Sequence, residues 1–284
     1  MTDARPTIDF DHHDPAFSAP ETYASLRREC PVGWSDRYGG FWVLSRYEDI
    51  ANAARNDATY SSARDDHGHG GIVIPEWSTE TSIPIEMDPP EQMVYRRMLN
   101  QLFSPTAVQR LQPSIDEIVT RTVDAFIERG SADLIDELTG PVPALVTVHV
   151  LGIAEHHADR LQAAVHDVFS AAVGSERSAR GAREMRWVSD LLLEHIRERR
   201  VHPGADVLSF LCAQRVDTAP LTDEVVASIA KLVVGGGMDT TTSLTGQTLR
   251  YLSAHPDVRR RLIEEPELLP TATDEFLRVF APSQ

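Results

Sequence analysis

Cysteine is scarce in this sequence, which contains only Cys30 and Cys212 among its 284 residues. The two lie far apart and in no metal-binding spacing, so neither a disulfide framework nor a zinc site is indicated. Long apolar runs are lacking as well. The longest, over 144–154, is too short to span a bilayer, and the polar segment over 1–14 contains no signal-peptide apolar run. We therefore expect a cytoplasmic protein.

Positive charge is also in deficit. The chain has 27 Lys and Arg against 43 Asp and Glu, which gives a net charge of -16. This surplus of negative charge opposes binding to nucleic acid or to anionic lipid. Hydrophobic residues still make up 42% of the sequence, an ordinary value that permits a sizeable core. Composition thus favours a neutral or cationic small-molecule ligand.

Helical spacing dominates the chain, and a small β region is predicted near its start. The early elements are a helix over 20–30, strands over 32–37 and 41–45, a helix over 47–56, a mobile Gly-, His- and Asp-rich loop over 61–82 and a helix over 90–103. Later helices are predicted over 105–129, 143–152, 156–173, 179–200 and 207–215, then a long one over 222–255. No repeat or linker divides the chain, so we expect one mainly α domain.

The long helix contains three consecutive glycines, Gly235, Gly236 and Gly237, just before Asp239 and Thr240. Each glycine in a helix costs about 1 kcal/mol relative to alanine, so the run costs about 3 kcal/mol and calls for a reason. One reason is close packing, since glycine lets a neighbouring backbone approach. The other is a notch that receives a ligand.

The residues after the glycines favour the notch. Gly236 and Thr240 are four apart and share a face, so the Thr240 hydroxyl can donate to the Gly236 carbonyl and bend the helix. Gly237 would then leave a side-chain-free space beside that hydroxyl. Asp239 lies about 100° round the helix and can connect Thr240 to solvent through water. This arrangement indicates a small-ligand pocket with a proton route.

Three segments resemble the cytochrome P450 family. Residues 236–241 are similar to its [AG]-G-x-[DE]-T-T signature in the long distal helix, and residues 88–96 to its D-P-P-E-[HQ]-x-x-x-R helix start. Glu275 and Arg278 resemble its E-x-x-R pair, and residues 277–282 its L-R-x-x-x-P ending. With the order of the early helix and hairpin, the resemblance covers essentially the whole chain.

The resemblance implies a P450 fold and a haem-thiolate monooxygenase that uses haem b and dioxygen to hydroxylate an organic substrate. In the family the notch, here Gly236 and Gly237, accommodates dioxygen. The acid and the alcohol, here Asp239 and Thr240, support proton delivery for O–O cleavage. We therefore expect Asp239 and Thr240 to be catalytic.

Roles outside the long helix also follow from the resemblance. Arg96 would pair with a haem propionate, and Gln92, where the family often has histidine, can still donate to that carboxylate. Glu275 and Arg278 would lock the core on the proximal side. Arg96 and Arg97 lie on the helix that in this family also faces an acidic ferredoxin, so ferredoxin and ferredoxin reductase are expected partners.

The expected substrate is a small or medium hydrophobic molecule. Its predicted contacts are the loop from Gly71 to Ile85 and, on the long helix, Leu232, Val233 and Gly236, which are mostly apolar. Terpenoid, fatty acid, steroid and aromatic compounds all stay open.

The family's haem-binding loop, F-x-x-G-x-x-x-C-x-G, does not occur in these 284 residues. Its cysteine thiolate is the axial ligand of the iron. Cys30 precedes a proline near a helix end and Cys212 lies in an apolar helix, so neither is expected to replace it. We expect the axial cysteine beyond Gln284, which makes this P450 domain incomplete at its C-terminus. A haem-free remnant that ends at Gln284 is the less favoured alternative.

Two rival functions are open. A non-catalytic helical interaction protein would use the glycine run for packing alone, and a peroxide-driven haem enzyme of the same superfamily would typically replace the acid–alcohol pair. Two His- and Asp-rich clusters, over 11–14 and 65–69, have metal-binding side chains, but their settings favour loops. The E-x-x-R pattern is weak alone, because Glu194 and Arg197 also match it.

Overall fold

The computed structural model describes residues 5–14, 17–65, 67, 69–74 and 80–282. Those residues form eleven α-helices and two small antiparallel sheets. The helices are α1 (Ala19–Glu29), α2 (Tyr47–Ala54), α3 (Glu91–Leu99), α4 (Pro105–Ile127), α5 (Pro141–Leu151), α6 (Ala158–Ser170), α7 (Glu176–Val201), α8 (Val207–Ala213), α9 (Asp223–Ala254), α10 (Pro256–Glu264) and α11 (Leu269–Phe280). The strands are β1 (Val32–Ser35), β2 (Phe41–Leu44), β3 (Arg215–Val216) and β4 (Ala219–Pro220). The mainly α class with a small β region is confirmed.

The chain divides into two compact units. The first consists of residues 1–97 with 172–175, and the second of residues 98–171 with 176–284. The single domain expected from the sequence stays a prediction. Within the described residues, no helix is long and apolar enough to cross a membrane.

The hairpin of β1 and β2 is the main feature of the first unit. Trp34 pairs with Trp42 across the strands, and their rings meet edge to face with centroids 5.3 Å apart. Gly40 in the turn has φ 98°, and a Cβ atom there would lie 2.1 Å from the Trp34 ring. Glycine is therefore required both by the backbone and by the neighbouring indole.

The Gly-, His- and Asp-rich loop is anchored by a buried ion pair between Arg64 and Glu86. Two hydrogen bonds of 2.9 and 2.8 Å join them, and their side chains are 4% and 1% exposed. Burial alone would raise the pKa of Glu86. Hydrogen bonds from Arg64 and from the backbone N–H groups of Ser82 and Ile72 outweigh burial and lower that pKa. The loop, predicted to be mobile, is thus fixed at Arg64.

Helix α9 forms the centre of the second unit and packs against α5, α6, α7 and α8 on its way to α10 and α11. One face of the helix is buried, at Val226, Ile229, Ala230, Val234 and Met238. Each large apolar side chain that is fully buried in this way contributes about 1.5–3 kcal/mol. The length and burial of α9 make it the rigid support for any site along it.

The ends of α9 are those predicted from the sequence. The Thr222 side chain accepts a hydrogen bond from the Val225 N–H at 3.4 Å, and Asp223 and Glu224 occupy the first turn. The helix ends at Ala254, ahead of Pro256. It runs unbroken through the three glycines.

Other element boundaries differ from the predictions. Helix α3 ends at Leu99 rather than residue 103, because the chain turns there and Ser104 caps the next helix through the Ala107 N–H. Helix α6 begins at Ala158, after a 3-10 turn, and ends at Ser170. The β3–β4 hairpin was not predicted, since its strands have two residues each and turn at Asp217, whose φ is 55°.

Candidate functional site

A partly exposed strip runs along α9 beside its buried face. Gly236 is exposed, while Leu232, Val233 and Thr240 are half-buried. Leu232 and Val233 lie four and three residues before Gly236, and Thr240 lies four after it, so all four share one side of the helix. We call this strip the open face. It contains three of the predicted substrate positions and one of the predicted catalytic residues.

The three glycines of α9 have different surroundings. A Cβ atom on Gly235 would make an ordinary contact with the Phe169 ring at 3.6 Å. A Cβ atom on Gly237 would lie 3.0 Å from Thr147 Oγ1, and that hydroxyl is itself held by a 2.8 Å hydrogen bond to the Pro143 carbonyl. A Cβ atom on Gly236 would meet nothing within 4 Å.

The space predicted beside the Thr240 hydroxyl therefore lies at Gly236. The prediction that Gly237 leaves this space was wrong, because Thr147 on α5 fills the direction in which a side chain would extend. Close packing, the simpler explanation of the run, accounts for Gly237. It does not account for Gly236.

The hydroxyl of Thr240 donates to the Gly236 carbonyl at 2.6 Å, as predicted from their spacing. This bond fixes the side chain against the one position on the glycine run that has open space beside it. The Thr240 oxygen keeps its lone pairs as acceptors. A hydroxyl and an unfilled position thus lie together on the open face.

The carboxylate of Asp239 contacts α6. Its Oδ1 atom lies 3.1 Å from His166 Nδ1, and the same nitrogen lies 3.1 Å from Ser170 Oγ. The Asp239 side chain is 27% exposed and the His166 side chain 53% exposed. Asp239 is therefore both partly open to solvent and in contact with an imidazole.

Sequence reasoning missed His166 and Ser170. His166 is 73 residues before Asp239, and only the packing of α6 on α9 brings the two together. One available signal was that His166 and Ser170 are four apart on a predicted helix and so share a face. That signal does not specify a partner.

The predicted propionate residues lie on α3 in the first unit. Gln92 and Arg96 are four apart and share a face of the helix. Arg96 is exposed, and its guanidinium makes no ion pair with any described residue. Gln92 lines a polar cavity of about 530 Å³ together with Arg55, Tyr60 and Asp88. Their binding of a cofactor stays a prediction.

The predicted E-x-x-R pair is formed. Arg278 donates two hydrogen bonds to Glu275, of 2.7 and 2.6 Å, and these lower the pKa of Glu275. Both side chains are more than half exposed. Glu194 and Arg197, which match the same pattern, make no ion pair in the described part of the chain. Helix α11 packs on α9 through Phe276 and Phe280, whose rings lie against Tyr251.

The predicted substrate loop has three exposed isoleucines among its described residues. Ile72, Ile74 and Ile85 are all exposed. Residues 75–79 of this loop lie outside the described residues. Ile85 belongs to the first unit, whereas Leu232, Val233 and Gly236 belong to the second.

No protein-family model matches this chain. It is 30% identical to cytochrome P450 130 of Mycobacterium tuberculosis over 253 residues, which are 86% of this chain and 61% of that protein. It is 31% identical to erythromycin C-12 hydroxylase of Saccharopolyspora erythraea over 262 residues, 91% of this chain and 64% of that protein.

The fold is similar to the structure of the bottromycin biosynthetic protein SalCYP, with a TM-score of 0.80 and 26% identity over 97% of this chain and 67% of that one. Its homologues are cytochromes P450. The resemblance carried by the three motifs is thereby confirmed. The chain spans 61% and 64% of the length of the two relatives named.

Cys212, in the same unit as the open face, is not placed to bind iron there. The Cys212 thiol donates weakly to the Ile196 carbonyl, and burial raises its pKa. Arg200 joins the Cys212 carbonyl to Asp223 in the first turn of α9, and Gly236 is about 20 Å further along that helix. The Cys30 thiol lies next to the Val32 carbonyl, 3.5 Å away.

The His- and Asp-rich clusters have other partners. Asp65 accepts hydrogen bonds from the N–H groups of His67 and His69, and Asp11 accepts from the Tyr38 hydroxyl. Asp66 and Gly68 lie outside the described residues. In the part of the chain that is described, no group of three or more His, Cys, Asp or Glu side chains is arranged to hold a metal ion.

Proposed function

We propose that this P450 chain forms the oxygen-activating side of a haem-thiolate monooxygenase, located in the cytoplasm, that hydroxylates a small or medium hydrophobic molecule. The observation that carries the proposal is the pairing of Gly236 with Thr240. A Cβ atom on Gly236 would meet nothing within 4 Å, and the Thr240 hydroxyl is bonded to the Gly236 carbonyl. Packing gives no reason for glycine at this position, whereas a small ligand does.

The residues of the open face fit a flat apolar cofactor such as haem b. Leu232 and Val233 offer apolar contact, and Gly236 leaves room for a ligand beside the helix. When bound, the haem would supply the iron that activates dioxygen for transfer of one oxygen atom to the substrate. Its axial thiolate is proposed to come from a residue other than Cys30 and Cys212.

Arg96 and Gln92, on α3 of the first unit, are proposed to hold a haem propionate. The Arg96 guanidinium has no ion-pair partner among the described residues, so its charge is available to a carboxylate. Gln92, one turn earlier, adds a neutral donor on the same helix face. This pairing of a charged and a neutral donor suits a propionate better than a purely structural role.

Thr240 and Asp239 are proposed to take part in proton delivery. Thr240 gives its hydrogen to the Gly236 carbonyl, so its oxygen accepts a hydrogen bond from a group on the open face. Asp239, the adjacent residue, passes protons from solvent through its carboxylate, which is partly exposed and contacts His166. This acid–alcohol pair favours dioxygen with electrons from a partner over a peroxide-driven reaction.

The experiment that tests this function is Thr240→Ala in the full-length protein loaded with haem. We expect reductant to be consumed with release of peroxide, and product per reductant to fall about tenfold or more. Thr245→Ala is the control, because Thr245 also donates to the carbonyl four residues earlier but lies on another side of α9. Unchanged coupling in Thr240→Ala would remove Thr240 from the reaction.

The electron donor is proposed to be an acidic ferredoxin with its reductase. Arg96 and Arg97 are both exposed on α3 in a chain whose net charge is -16, so they offer a local site for an acidic protein. Arg97→Glu is expected to slow electron transfer and leave the haem spectrum intact. Arg183→Glu, which reverses an exposed charge on α7, is the control. Equal rates in the two variants would exclude this surface.

A further inference from the structure

His166 Nδ1 has two partners at the same distance. Asp239 Oδ1 and Ser170 Oγ each lie 3.1 Å from it. His166 and Ser170 are one turn apart on α6, while Asp239 belongs to α9. An imidazole nitrogen has either one hydrogen or one lone pair, so it serves these partners in different ways.

The chemistry of the two partners makes them alternatives. With a hydrogen on Nδ1, His166 donates to the Asp239 carboxylate, which is an acceptor only. With a lone pair on Nδ1, His166 accepts the Ser170 hydroxyl and offers the carboxylate nothing. The bond that holds Asp239 is therefore replaceable without any movement of the backbone.

The last turn of α6 lies next to the glycine run of α9. The Phe169 ring lies near Gly235, where an added Cβ would be 3.6 Å away, and Met238 beside Asp239 is fully buried. His166, from the same part of α6, contacts Asp239 while its own side chain is 53% exposed to solvent.

We propose that His166 is a positioning residue for Asp239 and that Ser170, by competing for Nδ1, makes the bond between His166 and Asp239 reversible. When Nδ1 carries a hydrogen, the carboxylate is kept on the α6 side of α9. When the Ser170 hydroxyl takes Nδ1, the carboxylate is free to turn towards Thr240. This inference rests on the proposed role of Asp239 in proton delivery and adds the two residues that control its orientation.

The test compares two substitutions of His166 in the full-length, haem-loaded protein. His166→Leu removes the donor, whereas His166→Asn keeps an amide nitrogen near the position of Nδ1. We expect product per reductant to fall about tenfold in His166→Leu, with a changed solvent isotope effect, and to recover largely in His166→Asn. His149→Leu, at an exposed histidine on α5, is the control and stays at the wild-type value.

Ser170→Ala tests whether the bond between His166 and Asp239 is reversible. Without the competing Ser170 hydroxyl, His166 should stay bonded to Asp239 for longer, so turnover should slow in the wild-type background. In the His166→Leu background this bond is already absent, so Ser170→Ala should have no effect there. Equal effects of Ser170→Ala in both backgrounds would overturn the proposed alternation.

A measurement that needs no turnover checks the contact itself. Thermal unfolding of His166→Leu, Asp239→Asn and the double variant should give non-additive shifts of Tm, because each single change removes the same bond. Additive shifts would mean that the contact is not formed, and would overturn the inference.

The outcomes separate this inference from the proposed function. If Asp239→Asn leaves coupling unchanged, the role of Asp239 in proton delivery fails and the positioning role fails with it. If Asp239→Asn uncouples the reaction but His166→Leu does not, only the positioning role of His166 fails. Equal impairment in His166→Leu and His166→Asn would assign His166 a packing role instead.

Discussion

At the scale of single residues, the buried ion pair of Arg64 with Glu86 is expected to stabilise the first unit. Arg64→Ala would leave the Glu86 carboxylate buried without its partner, and we expect it to lower the free energy of unfolding by about 3–5 kcal/mol. Because the pKa of Glu86 is lowered in the fold, its contribution is present above the ordinary glutamate pKa and is lost as the pH falls through the lowered value. Denaturant unfolding at several pH values measures both effects.

Arg121→Ala is the matched control for this pair. Arg121 also bonds a glutamate, Glu155, but both side chains are about half exposed, so the loss should be about 1 kcal/mol or less. Equal losses in the two variants would mean that burial does not strengthen the Arg64 pair.

Single residues of the candidate site were predictable where they are close in sequence. The spacing of Gly236 and Thr240 predicted their hydrogen bond, because helix geometry alone brings those atoms together. His166 and Thr147 were not predictable, because their places beside Asp239 and Gly237 depend on how α6 and α5 pack on α9.

At the scale of elements, two glycines of α9 differ in their surroundings: Gly237 packs against α5, whereas Gly236 has open space beside it. Gly236→Ala should stabilise the protein by about 1 kcal/mol, since alanine is the better helix former and its Cβ would meet nothing within 4 Å. Gly237→Ala should gain little or lose stability, because its Cβ would press on Thr147 Oγ1 at 3.0 Å. Denaturant midpoints of the two variants test this. Equal midpoints would contradict the different surroundings.

Long elements were predicted better than short ones. Helix α9 was predicted almost to the residue, because Thr222 and Pro256 supply strong start and stop signals. The end of α3 was not, because the sequence continues helical spacing past Leu99 while the cap of α4 at Ser104 requires a turn. Strands of two residues such as β3 and β4 carry too little periodicity to be recognised.

At the scale of the whole molecule, family membership and mainly helical class follow from motifs that lie in order along the sequence. The open face and the acid–alcohol pair belong to the second compact unit, whereas Arg96 belongs to the first, and each unit has its own packing.

The carbon monoxide difference spectrum of the reduced full-length protein and of its Gly236→Val variant tests whether haem and a small ligand bind beside Gly236. We expect a thiolate-type band for the wild type. For the variant we expect haem incorporation with a greatly diminished band, because the new side chain would occupy the ligand space on the open face. A wild type without haem, or a variant whose band equals that of the wild type, would contradict the proposed function.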